Sequence, residues 1–153
     1  MKHYKKVINR QIGDLLVERG TIHREGLNMA VAYQKERGGL LGEILVDLKF
    51  ATEEDIAHAL TRQYGFPYLP LSNYEIDVEV IASVPENVCR QFCLIPIDKI
   101  GKSLTLAMAD PLNVQAIEDV ELLSGCSVQT FVATATDIKN SINKYYKAKK
   151  CSL

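Results

Sequence analysis

No stretch of the 153-residue chain is apolar for long enough to cross a bilayer as a helix. Its N-terminus, MKHYKKVINRQIG, carries basic residues with no apolar core behind them, so it does not read as a signal peptide. Net charge is only −1, which excludes a strong overall field for recruiting nucleic acid or acidic lipid. The four cysteines (Cys89, Cys93, Cys126 and Cys151) follow no zinc-binding spacing and have no histidine nearby. They are expected to be buried thiols in a reducing cytoplasm. Of the three histidines, none stands beside a nucleophile or an acid pair, and His58 falls on a polar helix face. Glu118 and Asp119 are adjacent carboxylates, but helical neighbours diverge by about 100° and serve one substrate poorly. Gly101-Lys102-Ser103 resembles the end of a phosphate-binding loop. Such a loop needs a glycine five residues earlier, where this chain has Pro96, and proline donates no N–H. The triplet reads as a hairpin turn, and no enzymatic activity is expected.

What is present is a globular composition, with 47% hydrophobic and 24% charged residues. Charge is unevenly placed. Residues 1–40 carry eight bases against four acids, residues 43–86 nine acids against two bases, and residues 138–150 five lysines with no acid. The lysine-rich end is expected to be a solvated helix terminus. The chain also repeats itself. Residues 12–34 and 41–63 align at a spacing of 29, with six identities in 23 positions. Apolar residues in both copies fall at helical spacing: Ile12, Leu15 and Leu16, then Leu27, Ala30 and Val31; and Leu41, Ile44, Leu45 and Leu48, then Ile56, Ala59 and Leu60. Each copy reads as helix, turn, helix. Gly20 would stop the first helix, Thr21 would weakly cap the second, and Thr52-Glu-Glu-Asp55 would start the fourth, with Thr52 as the cap and the acids at its positive end. Neither hairpin can hide its stripe alone, so the two are expected to pack as a four-helix unit. Gly13 and Gly42 are expected to be close helix-packing positions.

After Gly65 the texture changes. FPYLPLSNYEID reads as an extended connector. Ser83-Val-Pro-Glu86 opens a short helix, with Ser83 as its cap and an early proline, and CLIPIDKI and LTLAMAD read as two strands of a hairpin. Asp110-Pro111 would cap and open a helix presenting Val114, Ile117, Val120 and Leu123. SVQTFVA is a third strand, and Thr134 caps a last helix bearing Ile138, Ile142 and Tyr145. The fold class is α+β: a repeated helical-hairpin subdomain over 1–65, a connector over 66–77, a small α/β subdomain with a short sheet of about three strands over 78–148, and a tail over 149–153.

The doubled pattern resembles the N-terminal domain of the cytoplasmic ATPases that drive type II secretion and type IV pilus assembly. In the subset of that family that binds cyclic di-GMP, a similar motif is repeated at the same spacing of 29 residues. The first copy matches that family's motif at Ile12, Gly13, Leu16, Val17, Gly20, Ile22, Leu27, Ala30, Val31 and Gln34. The second matches at Leu41, Gly42, Leu45, Val46, Ile56, Ala59, Leu60 and Gln63. LAMADPLNVQAIEDVELLSG extends the resemblance, which covers about residues 8–147. The family's ligand-engaging arginine falls at Gln11 and Leu40, with Arg10 and Arg37 nearby, and its turn glycine falls at Lys49 in the second copy. The resemblance implies a non-catalytic regulatory or adaptor domain with no cofactor. It would dock secretion or pilus proteins, in particular the cytoplasmic part of an inner-membrane component. An ATPase motor would act in cis or in trans. No nucleic acid and no direct membrane span are implied, and the location would be cytoplasmic, peripheral to the inner membrane through a partner. The alternative it implies is a cyclic di-GMP sensor, with Arg10, Gln11, Ile12, Gly13, Leu16, Gln34, Arg37, Leu41, Gly42, Leu45, Gln63 and Asp110 as its candidate ligand residues.

Overall fold

The computed structural model describes residues 12–151, with side chains through residue 146. Four helices come first: α1 (Ile12–Glu18), α2 (Arg24–Arg37), α3 (Leu41–Asp47) and α4 (Glu53–Tyr64). Two short helices, α5 (Val78–Ile81) and α6 (Glu86–Phe92), lead into β1 (Leu94–Ile100) and β2 (Ser103–Met108). Then come α7 (Val114–Ser124), β3 (Ser127–Val132) and α8 (Ala135–Cys151). The described residues thus form eight α-helices and a three-stranded mixed sheet, the expected α+β class.

The repeat is copied in the backbone as well as in the sequence. After α1, the amides of Gly20, Thr21 and Ile22 donate to the carbonyls of Val17, Leu16 and Leu16. After α3, those of Lys49, Phe50 and Ala51 donate to Val46, Leu45 and Leu45, the same pattern 29 residues on. Both turns need a left-handed residue. Gly20 takes φ +77° freely, whereas Lys49 holds φ +65° with a side chain attached. Thr52 and Asp55 close the capping box that starts α4. Thr21 does not cap α2: the chain runs two residues further, and His23 takes the N-cap position without a side-chain bond.

The sheet order is β1-β2-β3. β1 and β2 form an antiparallel hairpin around Gly101, with a bulge between Pro96 and Asp98, and Lys102 is exposed in its turn. β2 and β3 run parallel, joined by the α7 crossover. The segment read as a connector also contributes: it forms a 3-10 turn at Leu71–Asn73, and Tyr68 bridges Val132 on the β3 edge.

Three local expectations are corrected. Asp110 folds back onto the Leu112 amide (3.1 Å), and Asn113, three residues later, caps α7 through the Ala116 amide. Two Asx residues compete there, and the intervening Pro111-Leu112 turn gives the cap to the second. Ser83 donates to the Glu79 carbonyl rather than capping α6, so Pro85 is the N-cap. On α7 the buried stripe is Ala116 and Val120, and Leu123 is exposed.

Two apolar clusters hold the halves. The helical cluster gathers Ile12, Leu15, Leu16, Leu27, Ala30, Leu41, Ile44, Leu45, Ile56 and Leu60, and also Leu112 and Val132 from the second half. The sheet cluster gathers the strands with Ile138, Ile142 and Tyr146, and Leu40 packs against it from the first half. Cys89, Cys93 and Cys126 are free thiols buried in that core. Among the described residues, no helix is long and apolar enough to cross a membrane.

Candidate functional site

A cavity of about 390 Å³ lies where the halves meet, within the usual range for small-molecule pockets. Its first wall is α3 and the start of α4, with Leu41, Gly42, Val46, Ile56 and Ala57. Facing it are the 109–113 loop after β2 and the loop after β3 that leads into α8. The ends of two parallel strands thus open onto the repeat. The second copy of the repeat supplies much of the apolar lining together with Glu43, Asp47 and Glu53, and the sheet half adds Asp110, Asn113, Thr134, Thr136 and Lys139.

The charge is mainly acidic. Glu43, Asp47, Glu53 and Asp110 line the cavity, against Lys139 as the one basic lining residue among those described. Lys139 Nζ sits 2.9 Å from Glu43 Oε1, and that bond raises the Lys139 pKa despite its partial burial. Glu53 occupies the first turn of α8: its carboxylate accepts from the Thr136 amide and from the Thr136 hydroxyl, each at 2.6 Å. Amides at a helix start are unsatisfied donors at the positive end of the helix, so an anion there is favourable. Burial pushes the Asp110 carboxyl up to about 6, although the Leu112 amide donates to it and opposes that shift. Among the described residues no group of three or more His, Cys, Asp or Glu side chains is placed to hold a metal ion.

The motif positions separate on the structure. Ile12, Gln34, Leu41, Gly42 and Asp110 line the cavity, as does Leu40 in the arginine position. Leu16 and Leu45 are fully buried in the helical core, and Gly13 packs against Leu27. Gln34 donates to the Gly39 carbonyl (3.0 Å) and braces the turn into α3. Gln63, its repeat partner, is exposed on α4 and is not a lining residue. Arg37 lies over the Tyr33 ring, with its guanidinium 4.9 Å from the centroid, and donates to the Tyr33 hydroxyl. Arg10 and Gln11 lie outside the described residues. Glu43, Glu53, Thr136 and Lys139 were not singled out from the sequence. Glu53 was legible only as a helix-start acid, and its partner Thr136 is 83 residues away.

Two repeated hairpins joined to a small mixed-sheet unit across a shared cavity define a two-lobed α+β module. Residues 64–150 match the MshEN domain family, and the chain belongs to it. The chain is 32% identical over 143 residues to the type IV pilus assembly ATPase PilB of Myxococcus xanthus, covering 94% of this chain and 25% of that protein. PilB of Thermus thermophilus is 29% identical over 140 residues, covering 90% and 16%. The chain therefore spans about a quarter or less of the curated relatives it matches. Among solved structures, the N-terminal domain of XpsE superposes with a TM-score of 0.73 at 25% identity, covering 88% of this chain and 93% of that one. A structure of MshE with cdg superposes with a TM-score of 0.66 at 28% identity, covering 90% and 99%. The chain is thus homologous to the N-terminal region of type II secretion and type IV pilus ATPases.

Proposed function

We propose that the chain is a non-catalytic regulatory and docking module of a type II secretion or type IV pilus assembly ATPase system. It would act on a motor domain in cis or in trans and contact the cytoplasmic part of an inner-membrane component. The observation that carries this reading is coverage. The match is nearly complete against the XpsE N-terminal domain and about a quarter of M. xanthus PilB. A module of this kind is separate from the part that hydrolyses nucleotide. The test is co-purification of the tagged chain with the motor and with the inner-membrane component of its own system. Association with neither rejects the reading, as does ATP turnover by the purified chain that is lost in Lys102→Ala.

The second reading is a cyclic di-GMP sensor. The cavity supports it by bringing Ile12, Gln34, Leu41, Gly42 and Asp110 together, and MshE was solved with cdg. The charge opposes it. Arginine binds phosphate through a charged, planar fork, and here Leu40 stands at one arginine position while Arg37 is engaged by Tyr33. Calorimetry with cyclic di-GMP separates the readings. Weak or undetectable binding by the native chain, with gain in Leu40→Arg, fits a scaffold that has lost its cations. Tight native binding makes the chain a sensor.

A further inference from the structure

The halves meet differently on the two sides of the cavity. On the inner side the contact is apolar: Leu112 (2% exposed) and Val132 (0%) insert into the helical core. At the rim the contact is polar, and it converges on one short stretch of chain. Glu43 of α3 reaches Lys139, and Glu53 of α4 reaches both the amide and the hydroxyl of Thr136. Both acceptors come from the second copy of the repeat, and both partners lie on the first turns of α8. The Lys139 side chain is 56% exposed and Glu43 26%, so this is the wetted edge of the cavity.

Apolar and polar contacts part with very different ease. Water replaces an exposed ion pair or hydrogen bond with little net loss, whereas it cannot replace the packing of Leu112 and Val132. Local opening therefore begins at the rim. We propose that Glu43 and Glu53 form a two-point latch on α8, and that the cavity opens when the first turns of α8 leave α3 and α4 while Leu112 and Val132 stay anchored. An occupant that fills the cavity, or a partner that takes either carboxylate, then shifts the closed and open populations by its preference for one of them.

The fold contains its own reporters. Cys93 is buried beside this rim. Burial, then the Glu43 carboxylate, push its thiol up to about 12, while Lys139 pulls the other way. Cys89 is buried in the sheet core, with its sulfur 3.2 Å from the Tyr146 hydroxyl. The experiment is thiol modification of the whole native chain under non-denaturing conditions, with Cys93 and Cys89 followed separately by mass spectrometry.

Lys139→Gln removes the cation that favours the Cys93 thiolate, so electrostatics alone would slow Cys93. Release of the latch would instead speed it, by about twofold to fivefold, the equivalent of the roughly 0.4–1 kcal/mol that an exposed ion pair contributes. Cys89 should keep its native rate. Adding Thr136→Val, which removes the hydroxyl that donates to Glu53 but leaves the Glu53 charge that acts on Cys93 in place, should speed Cys93 further. Should that double variant fail to fold, the single Lys139→Gln change, at an exposed side chain, still decides. Asp14→Asn, which breaks an exposed ion pair with Arg24 elsewhere in the helical half, should change neither thiol. The latch is overturned if Cys93 is slowed or unchanged in Lys139→Gln. It is equally overturned if Cys93 and Cys89 accelerate together, or if Asp14→Asn has the same effect. The readout is opening rather than binding, so failure of cyclic di-GMP to bind leaves it standing.

Discussion

Gly13 and Gly42 hold the same place in the two copies of the repeat, and alanine should act on them with opposite sign. A Cβ at Gly13 would collide with Leu27 Cδ1 and lie 3.3 Å from Leu27 Cγ and Cδ2. Leu27 is 4% exposed within the helical core, so it cannot swing into solvent to make room. Overpacking of this kind costs about 1–3 kcal/mol. Removing a glycine from a helix returns about 0.5–1 kcal/mol of that. The net expectation at Gly13→Ala is a loss of about 0.5–2 kcal/mol. At Gly42 the nearest heavy atom is Ile56 Cδ1 at 3.8 Å, an ordinary contact. Only the helix term remains, so Gly42→Ala should gain up to about 0.5–1 kcal/mol. Urea unfolding followed by circular dichroism measures both, and thermal midpoints should move in opposite directions by roughly 2–4 °C per kcal/mol for a chain of this size. Equal shifts of the same sign, or a Gly13→Ala protein as stable as the native one, would refute the packing account. Symmetry of sequence predicted two packing glycines. The structure corrects the second, which faces the cavity.

Lys49→Gly should stabilise the fold, because Lys49 holds φ +65° where a side chain costs about 1–2 kcal/mol. A net gain of about 0.5–1 kcal/mol is expected after the added freedom of the unfolded chain, and a loss in urea unfolding would show that the Lys49 side chain contributes something unseen. Thr52→Ala removes one arm of the capping box and should cost about 1 kcal/mol, typically 0.5–2. Asp110 binds its proton more tightly folded, near 6, than unfolded, near 3.8, so the folded state holds more protons between those values and stability falls as pH rises through that window. Asp110→Asn keeps an acceptor for the Leu112 amide and should flatten that part of the pH–stability profile, by at most about 3 kcal/mol; an unchanged profile would mean that the carboxyl is solvated.

The helical half was readable because its cause is local. A 29-residue period, apolar residues at helical spacing and a Thr-x-x-Asp start all act within one or two turns. They led to the right helices and to the burial of Leu15, Leu16, Ile44 and Leu45. The strands were readable for the same reason, from short apolar runs around Gly101. Misjudged starts occurred where two local options compete: Asp110 against Asn113, Thr21 against the unassisted His23. Nothing local distinguishes the winner, because the choice depends on where β2 and α1 deliver the chain. The rim contacts were beyond reach altogether. Glu43 finds Lys139 and Glu53 finds Thr136 only because β3 returns α8 to the repeat. Arg37 carried a charge that suited phosphate, yet its own helix supplies Tyr33 four residues back, and that local contact takes it.

The two copies therefore share a backbone and divide the work. The first copy can keep Gly20 in its left-handed turn and bury Gly13 against Leu27, since it answers mainly to packing. The second copy tolerates Lys49 in the equivalent turn and leaves Gly42 on the cavity wall. It also carries both carboxylates that reach α8. Charge follows the same division. The first turn of α8 and Lys139 are the groups in this cavity best suited to an anion, and internal glutamates already satisfy both. Two unit charges 4 Å apart interact by about 4 kcal/mol at the effective dielectric near a protein surface. A phosphate entering this cavity would have to displace a carboxylate or sit beside one. The apolar motif residues serve the helical core and the cavity wall, whereas Glu43, Glu53 and Lys139 set the charge at the rim, so the packing of the repeat and the charge of the cavity rest on different residues and can change independently.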